Sequence, residues 1–180
     1  AYGVDEVLSG AVPLSDLPRD EQGLCLIAAP RRLEQSETIV HELPALLDSA
    51  MAHFDAIVAN TGANWGEQHA VLLERSSRAL FLVDQRASSL RACKHAVELC
   101  ARCGIAASPF LFVANRCSKR SLFSSIDVSC AMQGAHAAEL KDGGVEVEQA
   151  LGTGLAYDLV SSRNAFAQSV RELMGEVVGE

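Results

Sequence analysis

The run Phe54-Asp55-Ala56-Ile57-Val58-Ala59-Asn60-Thr61-Gly62-Ala63-Asn64-Trp65-Gly66 decides the fold. A short apolar stretch ends in a polar, glycine-bearing turn, and a helical pattern follows at once over 67–76. A buried parallel strand delivers a loop to the carboxyl edge of an α/β sheet in this way, and such edges bind ligands.

The same pattern recurs on both sides of this run. Upstream, Gly23-Leu24-Cys25-Leu26-Ile27-Ala28-Ala29 is a continuous apolar run closed by Pro30, which predicts a first buried strand. Downstream, 78–83 (Ala79-Leu80-Phe81-Leu82-Val83) predicts a third, with Asp84-Gln85-Arg86-Ala87 as its exit loop. A fourth spans 109–114 and ends at Asn115-Arg116, and a weaker one lies near 136–140.

Helices fill the intervals. Val4, Val7 and Leu8 mark a short amphipathic helix stopped by Gly10. Ser36 is a good N-cap with Glu37 in the first turn, and Pro44 restarts or kinks the helix that follows. Leu43, Leu46, Leu47, Ala50 and Phe54 keep one apolar stripe through that break. The 67–76 helix buries Ala70, Val71 and Leu73. Ser88 caps the clearest helix, with Leu90, Cys93, Val97 and Cys100 in one stripe, widened by Ala96, Leu99 and Cys103, and Gly104 as its stop. Further helices are expected near 126–132, over 145–151 and after Ser162, the last burying Phe166, Val170, Leu173, Met174 and Val177. Alternating strands and helices predict one α/β domain over 1–180, a mostly parallel sheet with helices on both faces. The turns at Asn60, Asp84 and Asn115 are then expected on one edge.

Composition narrows the function. The 180 residues carry a net charge of −8, with 15 basic against 23 acidic side chains, so no nucleic-acid partner is expected. The nearest thing to a basic run, Arg116 with Lys119 and Arg120, reads as a solvated loop. No apolar run is long enough to span a membrane, and Ala1-Tyr2-Gly3-Val4-Asp5 lacks the basic head of a signal peptide. A cytoplasmic location is expected, with reduced cysteines packed as small hydrophobes. The chain opens without Met, as a processed fragment would.

A phosphate loop needs glycines followed by Lys and then Ser or Thr, and no Gly-Lys-Ser or Gly-Lys-Thr occurs in these residues. Gly152-Thr153-Gly154 follows a helix and lacks the lysine, so it reads as a helix stop. In nucleotide hydrolases the strand equivalent to 54–59 ends in an aspartate that helps hold magnesium. Here Asn60 stands there, and a neutral amide cannot supply the charge that Mg²⁺ prefers. Asn60 is either the trace of a lost catalytic site that still binds, or a plain turn residue; hydrolysis is disfavoured both ways. Cys100-Ala101-Arg102-Cys103 has redox spacing, but it lies at a helix C-terminus, where the dipole opposes a thiolate, so core packing is the better reading. The five histidines do not pair with cysteines at zinc-ligand spacing, and no metal site is expected. Trp65 is a candidate lid or partner contact.

In this order the elements resemble the MinD/ParA superfamily of deviant P-loop ATPases, nearest its CpaE/TadZ pilus-assembly localisation group. Gly23-Leu24-Cys25-Leu26-Ile27-Ala28-Ala29-Pro30 with Arg32-Leu33-Glu34 is similar to one strand and turn of that group. Phe54-Asp55-Ala56-Ile57-Val58 matches its next strand, with Asn60 in place of the final aspartate. Phe81-Leu82-Val83 with Ser88-Ser89-Leu90-Arg91, and Phe112-Val113-Ala114-Asn115-Arg116, match two later blocks.

The resemblance implies a P-loop NTPase-like fold, ATP as ligand, and Asn115 against an adenine base with Arg116 beside it. Asn60, Thr61 and Gly62 would lie in the nucleotide-facing turn. Leu140-Lys141-Asp142 would be the second base-contacting turn, with Lys141 in place of the family's proline. It also implies an ATP-promoted face-to-face homodimer, pilus or secretion machinery as partners, and peripheral membrane or polar association. Relative to the family, the chain starts after the first two strands, without the phosphate-loop segment, and Asn64 and Trp65 replace ordinary switch residues. The family's first strand is central, so the gap it leaves is expected to be filled by a partner chain, another element or an altered strand order. The leading expectation is therefore a degenerate or truncated ATPase domain that localises or assembles a pilus or secretion apparatus through protein contacts. On this view it has no catalytic residues and no magnesium. The alternatives are an ATP-hydrolysing CpaE/TadZ-like or septum-site MinD-like ATPase seen as a fragment, and a thiol-redox protein using Cys100 and Cys103.

Overall fold

The computed structural model describes residues 1–30, 32, 34, 36–62 and 65–178. The predicted capping side chains of Ser36 and Glu37, together with Leu33 and Asn64, lie outside what it describes. The chain divides into two compact units, Ala1–Arg75 and Ser76–Glu180.

The first unit contains β1 (Tyr2–Gly3), α1 (Val4–Leu8), a 3-10 turn (Leu14–Asp16), β2 (Ile27–Ala28), α2 (Ser36–Met51) and α3 (Glu67–Arg75). β1 and β2 pair in parallel, Tyr2 with Ile27 and Gly3 with Ala28. The predicted strand over 23–29 shrinks to those two residues. The cause is local: Asp20 Oδ1 accepts from the backbone N–H groups of Gln22 (2.9 Å) and Leu24 (2.8 Å), and Arg19 bridges Cys25 in antiparallel fashion. This side-chain turn takes up the first half of the run, and Leu24 and Leu26 are exposed. α2 is one continuous helix through Pro44, with Ala50 buried on its apolar stripe. In α3 it is His69 that is buried, while Ala70, Val71 and Leu73 are only half-buried.

Residues 54–59 form no strand. Their backbone finds no ladder partner among the described residues, and Val58 is 93% exposed. An apolar run becomes a buried strand only when a neighbour satisfies its N–H and C=O groups.

The second unit contains β3 (Ala79–Val83), α4 (Ala87–Arg102), β4 (Phe110–Cys117), α5 (Ser125–Ala131), β5 (Ala137–Lys141), α6 (Gly144–Gly152), α7 (Ala156–Val160) and α8 (Ala165–Val178). The strands run parallel in the order β3-β4-β5. β4 is central, and Leu111, Phe112, Val113 and Ala114 are all buried, the continuous apolar run of a strand covered on both faces. Phe112 and Ala114 pack with Val83, Cys93, Val128 and Met132 on the face of α4 and α5. Leu111 and Val113 pack with Leu140 and Leu173 on the face of α8. This is the α/β architecture the sequence predicts, a parallel sheet with helices on both faces.

The helix ends follow their local chemistry. α4 stops at Gly104 (φ 75°), where the Ile105 N–H donates to Cys100 O at 2.9 Å and closes the last turn. Its N-cap is Arg86, not Ser88; the serine that acts is Ser89, whose Oγ accepts from the Asp84 N–H at 3.0 Å. α5 has a capping box: Ser124 Oγ accepts from the Asp127 N–H (3.3 Å) and Asp127 Oδ2 from the Ser124 N–H (2.8 Å). Gly152-Thr153-Gly154 ends α6, and a short helix missed in the sequence, α7, follows it. On α8, Leu173 is buried but Met174 is exposed, contrary to expectation.

Candidate functional site: the carboxyl edge of the three-stranded sheet

Val83, Ala114 and Glu139 stand side by side on β3, β4 and β5. Adjacent strands lie about 4.8 Å apart, so the residues that follow them share one edge. These are Asp84-Gln85-Arg86, Asn115-Arg116 and Lys141-Asp142. Of the three turns expected together, the sheet gathers those at Asp84 and Asn115. Asn60, Thr61 and Gly62 belong to the first unit, where their segment joins no sheet among the described residues.

β4 does not end at Asn115 as predicted. Ala114 pairs with Glu139 and Cys117 with Lys141, so two residues, Asn115 and Arg116, oppose the single Leu140. This is a β-bulge, and Arg116 takes φ 53°, a left-handed conformation that few non-glycine residues adopt. Bulges re-aim side chains beside functional edges. Neither the Asn115 amide nor the Arg116 guanidinium forms a hydrogen bond or ion pair among the described residues.

Gln85 holds the bulge in place. Its Nε2 donates to Asn115 O (2.8 Å) and Phe123 O (3.1 Å), and its Oε1 accepts from the Phe123 N–H (2.9 Å). One half-buried amide thus joins the exit of β3, the bulge of β4 and the segment entering α5. Beside it, Arg86 Nη2 donates to Asp84 Oδ2 at 2.9 Å. That bond holds the Asp84 carboxyl below its usual range; burial opposes it, and the charge on Arg116 adds to it.

Glu139 anchors the other side. Its Oε2 accepts from Lys141 Nζ at 2.5 Å, and its Oε1 accepts from both the N–H and Oγ of Ser125 at 3.1 Å. The ammonium first, and then the first turn of α5, push the Glu139 carboxyl down; the same pair pushes Lys141 up. The Asp142 N–H donates to Cys117 O (3.0 Å), and Asp142 Oδ1 accepts from the Gly144 N–H (3.1 Å). Gln85 and Glu139 were invisible as site residues in the sequence, since only the strand register sets them against Phe123 and Ser125.

In the first unit, His69 bonds to Gly62 and to Gly66. Its Nε2 donates to Gly62 O (3.1 Å), its Nδ1 accepts from the Gly66 N–H (3.2 Å), and Trp65 stacks on the ring with centroids 5.0 Å apart. Trp65 is 38% exposed.

The cysteines are free. Cys93, Cys100 and Cys117 are buried, whereas Cys103 and Cys130 are exposed, so fewer are packed than expected. Burial raises the Cys100 thiol, as does its neighbour Cys103. Among the described residues no helix is long and apolar enough to cross a membrane.

No protein-family model matches the chain, and no curated protein matches it. Solved structures do. A ParA-family ATPase from Chlorobium tepidum superposes with a TM-score of 0.83 at 16% identity, covering 96% of this chain and 75% of that one. The MinC:MinD cell division complex of Aquifex aeolicus follows with TM-score 0.65 at 22% identity, covering 97% and 74%. MinD from the same organism gives 0.61 at 21% identity, covering 97% and 75%. The architecture is thus a P-loop NTPase-like α/β fold. Within that class, the chain has the fold shared by ParA-family ATPases and MinD.

Proposed function

We propose that this chain is a ParA/MinD-like domain without ATP turnover, which keeps a nucleotide-base contact at Asn115 and Arg116 and acts through protein contacts. Asn60 in place of the magnesium-binding aspartate supports the loss of hydrolysis.

The observation that carries the protein-contact reading is the outer side of β3. The Ala79 N–H donates to Pro109 O at 2.9 Å, so Ala79, Phe81 and Val83 turn their backbone groups to β4. Parallel-ladder alternation then turns the N–H and C=O of Leu80 and Leu82 to the other side, where the described sheet has no neighbour. Leu80 and Leu82 are 43% and 55% exposed, while their partners across the ladder, Leu111 and Val113, are 8% and 0% exposed. An open edge beside exposed leucines favours an added extended strand. In this reading the domain works as a homodimer that positions a pilus or secretion apparatus at a pole or membrane. That placement is supported by the CpaE/TadZ-like sequence blocks.

Hydrogen exchange tests it. The Leu80 and Leu82 amides are expected to exchange fast in dilute protein and to slow at least tenfold on self-association or partner binding. Leu80→Lys with Leu82→Lys should abolish the slowing. Association that leaves both amides unchanged would overturn the proposal.

A second reading, an active ATPase of which this chain is one part, is favoured by the unengaged Asn115 and Arg116 on the sheet edge. If it holds, Asn60→Asp raises turnover in the full-length protein; no change counts against it.

A further inference from the structure

We infer that the domain associates with a second copy of itself head to tail, the loop entering α5 of one copy seating on the α6–α7 lobe of the next. This contact is separate from the β3 edge and from the nucleotide reading. Charge is segregated between the two segments. Residues 115–126 carry Arg116, Lys119 and Arg120 and no acidic residue, whereas 142–162 carry Asp142, Glu146, Glu148 and Asp158 and no basic one. All of these charged residues are exposed. Each segment also exposes large apolar side chains: Leu122 (62%) and Ile126 (72%) on the first, Leu151 (59%), Leu155 (54%) and Val160 (63%) on the second. Exposed apolar groups rimmed by charge mark an interaction surface. Apolar burial supplies affinity, and opposite charge selects the partner and its register. A second copy offers the basic loop a face of opposite charge with its own exposed apolar groups.

Both surfaces are held in place before they meet. Ser121 Oγ accepts from the Ser118 N–H (2.6 Å) and donates to Arg116 O (3.4 Å), and Gln85 holds both backbone groups of Phe123. On the lobe, Arg171 donates to Val160 O and Ser162 O, and Asn164 Nδ2 donates to Gly143 O (3.2 Å). Preorganised surfaces lose less entropy on docking. The loop leads into α5 on one face of the sheet, while α6 and α7 pack with α8 over the other. Different patches on opposite faces make a heterologous contact, which builds a chain of copies rather than a closed pair.

Charge reversal tests this by sedimentation velocity, in the 180-residue protein carrying Leu80→Lys and Leu82→Lys so that the β3 edge takes no part. This parent is expected to form species that grow with concentration. Lys119→Glu with Arg120→Glu, and Glu148→Lys with Asp158→Lys, should each weaken association at least about tenfold, with thermal midpoints compared to confirm folding. Mixed in equal amounts, the two variants should assemble again, since the reversed loop of one meets the reversed lobe of the other. Leu155→Ser with Val160→Ser removes apolar surface without changing any charge, and should weaken association to a similar degree. A parent that stays monomeric, a mixture no better associated than its components, or full association of the serine variant would each overturn the inference. So would a monomeric parent that binds phosphatidylserine vesicles through Lys119 and Arg120, which would make the loop a membrane contact instead.

Discussion

Glu139 on β5 receives both the backbone N–H and the hydroxyl of Ser125, each at 3.1 Å, and so closes the first turn of α5 from outside the helix. An anion at a helix start satisfies free N–H groups and complements the dipole. Glu139→Ala should therefore destabilise the protein by about 1 kcal/mol, the worth of a charge-assisted bond at a partly exposed site. Urea unfolding at neutral pH checks this.

The same carboxylate sets a pH dependence. Its folded pKa lies below the ordinary value of 4.5, through Lys141 and then Ser125. The group thus contributes stability above its unfolded pKa, and this is lost as pH falls through the lower folded value. Wild-type urea midpoints should drop as pH falls below the ordinary glutamate value of 4.5, and Glu139→Gln should show a shallower drop. Equal slopes would remove Glu139 as a cause.

Burial along the sheet separates two apolar positions that look alike in sequence. Val113 is fully buried, whereas Leu82 is 55% exposed. Val113→Ala should cost about 2–3 kcal/mol through lost burial and a cavity. Leu82→Ala in the isolated chain should cost less than about 0.5 kcal/mol. The reverse ranking would contradict the strand order.

Two glycines near α6 should behave oppositely. A Cβ on Gly143 would lie 2.2 Å from Val147 Cγ2 and 3.0 Å from Phe166 Cβ, whereas one on Gly152 would meet nothing within 4 Å. Gly143→Ala should destabilise by about 1–3 kcal/mol. Gly152→Ala should be neutral or add up to about 1 kcal/mol. Thermal unfolding of the pair distinguishes them.

Thiol alkylation tests the redox alternative. Burial pushes the Cys93 thiol up to about 11, and Cys100 is 1% exposed. Cys103 and Cys130 should react quickly in the native protein, while Cys93, Cys100 and Cys117 should stay protected until it unfolds. Fast, paired reaction of Cys100 with Cys103 would revive a redox role.

Much of the second unit could be read directly from the chain. The apolar runs at 79–83 and 110–113, the Cys93 to Cys100 stripe and the Gly104 stop each carry their own local signal, and each holds. The first unit was less legible. Residues 23–29 and 54–59 have the composition of strands, but pairing is decided by neighbours, and a side-chain turn at Asp20 takes up part of the first run. At the site, Asn115 and Arg116 stand out in the sequence because they follow an apolar run, although β4 continues through them to Cys117. The bulge, the Gln85 clamp and the Glu139 cap could not, because they depend on which residues stand opposite one another across β4 and β5.

The central claim is an ATPase fold without turnover, and steady-state ATP hydrolysis by the purified chain with Mg²⁺ tests it most directly. The account predicts no phosphate release above background, in the wild type and in Asn115→Ala alike. Measurable turnover by the wild type that disappears in Asn115→Ala would contradict it.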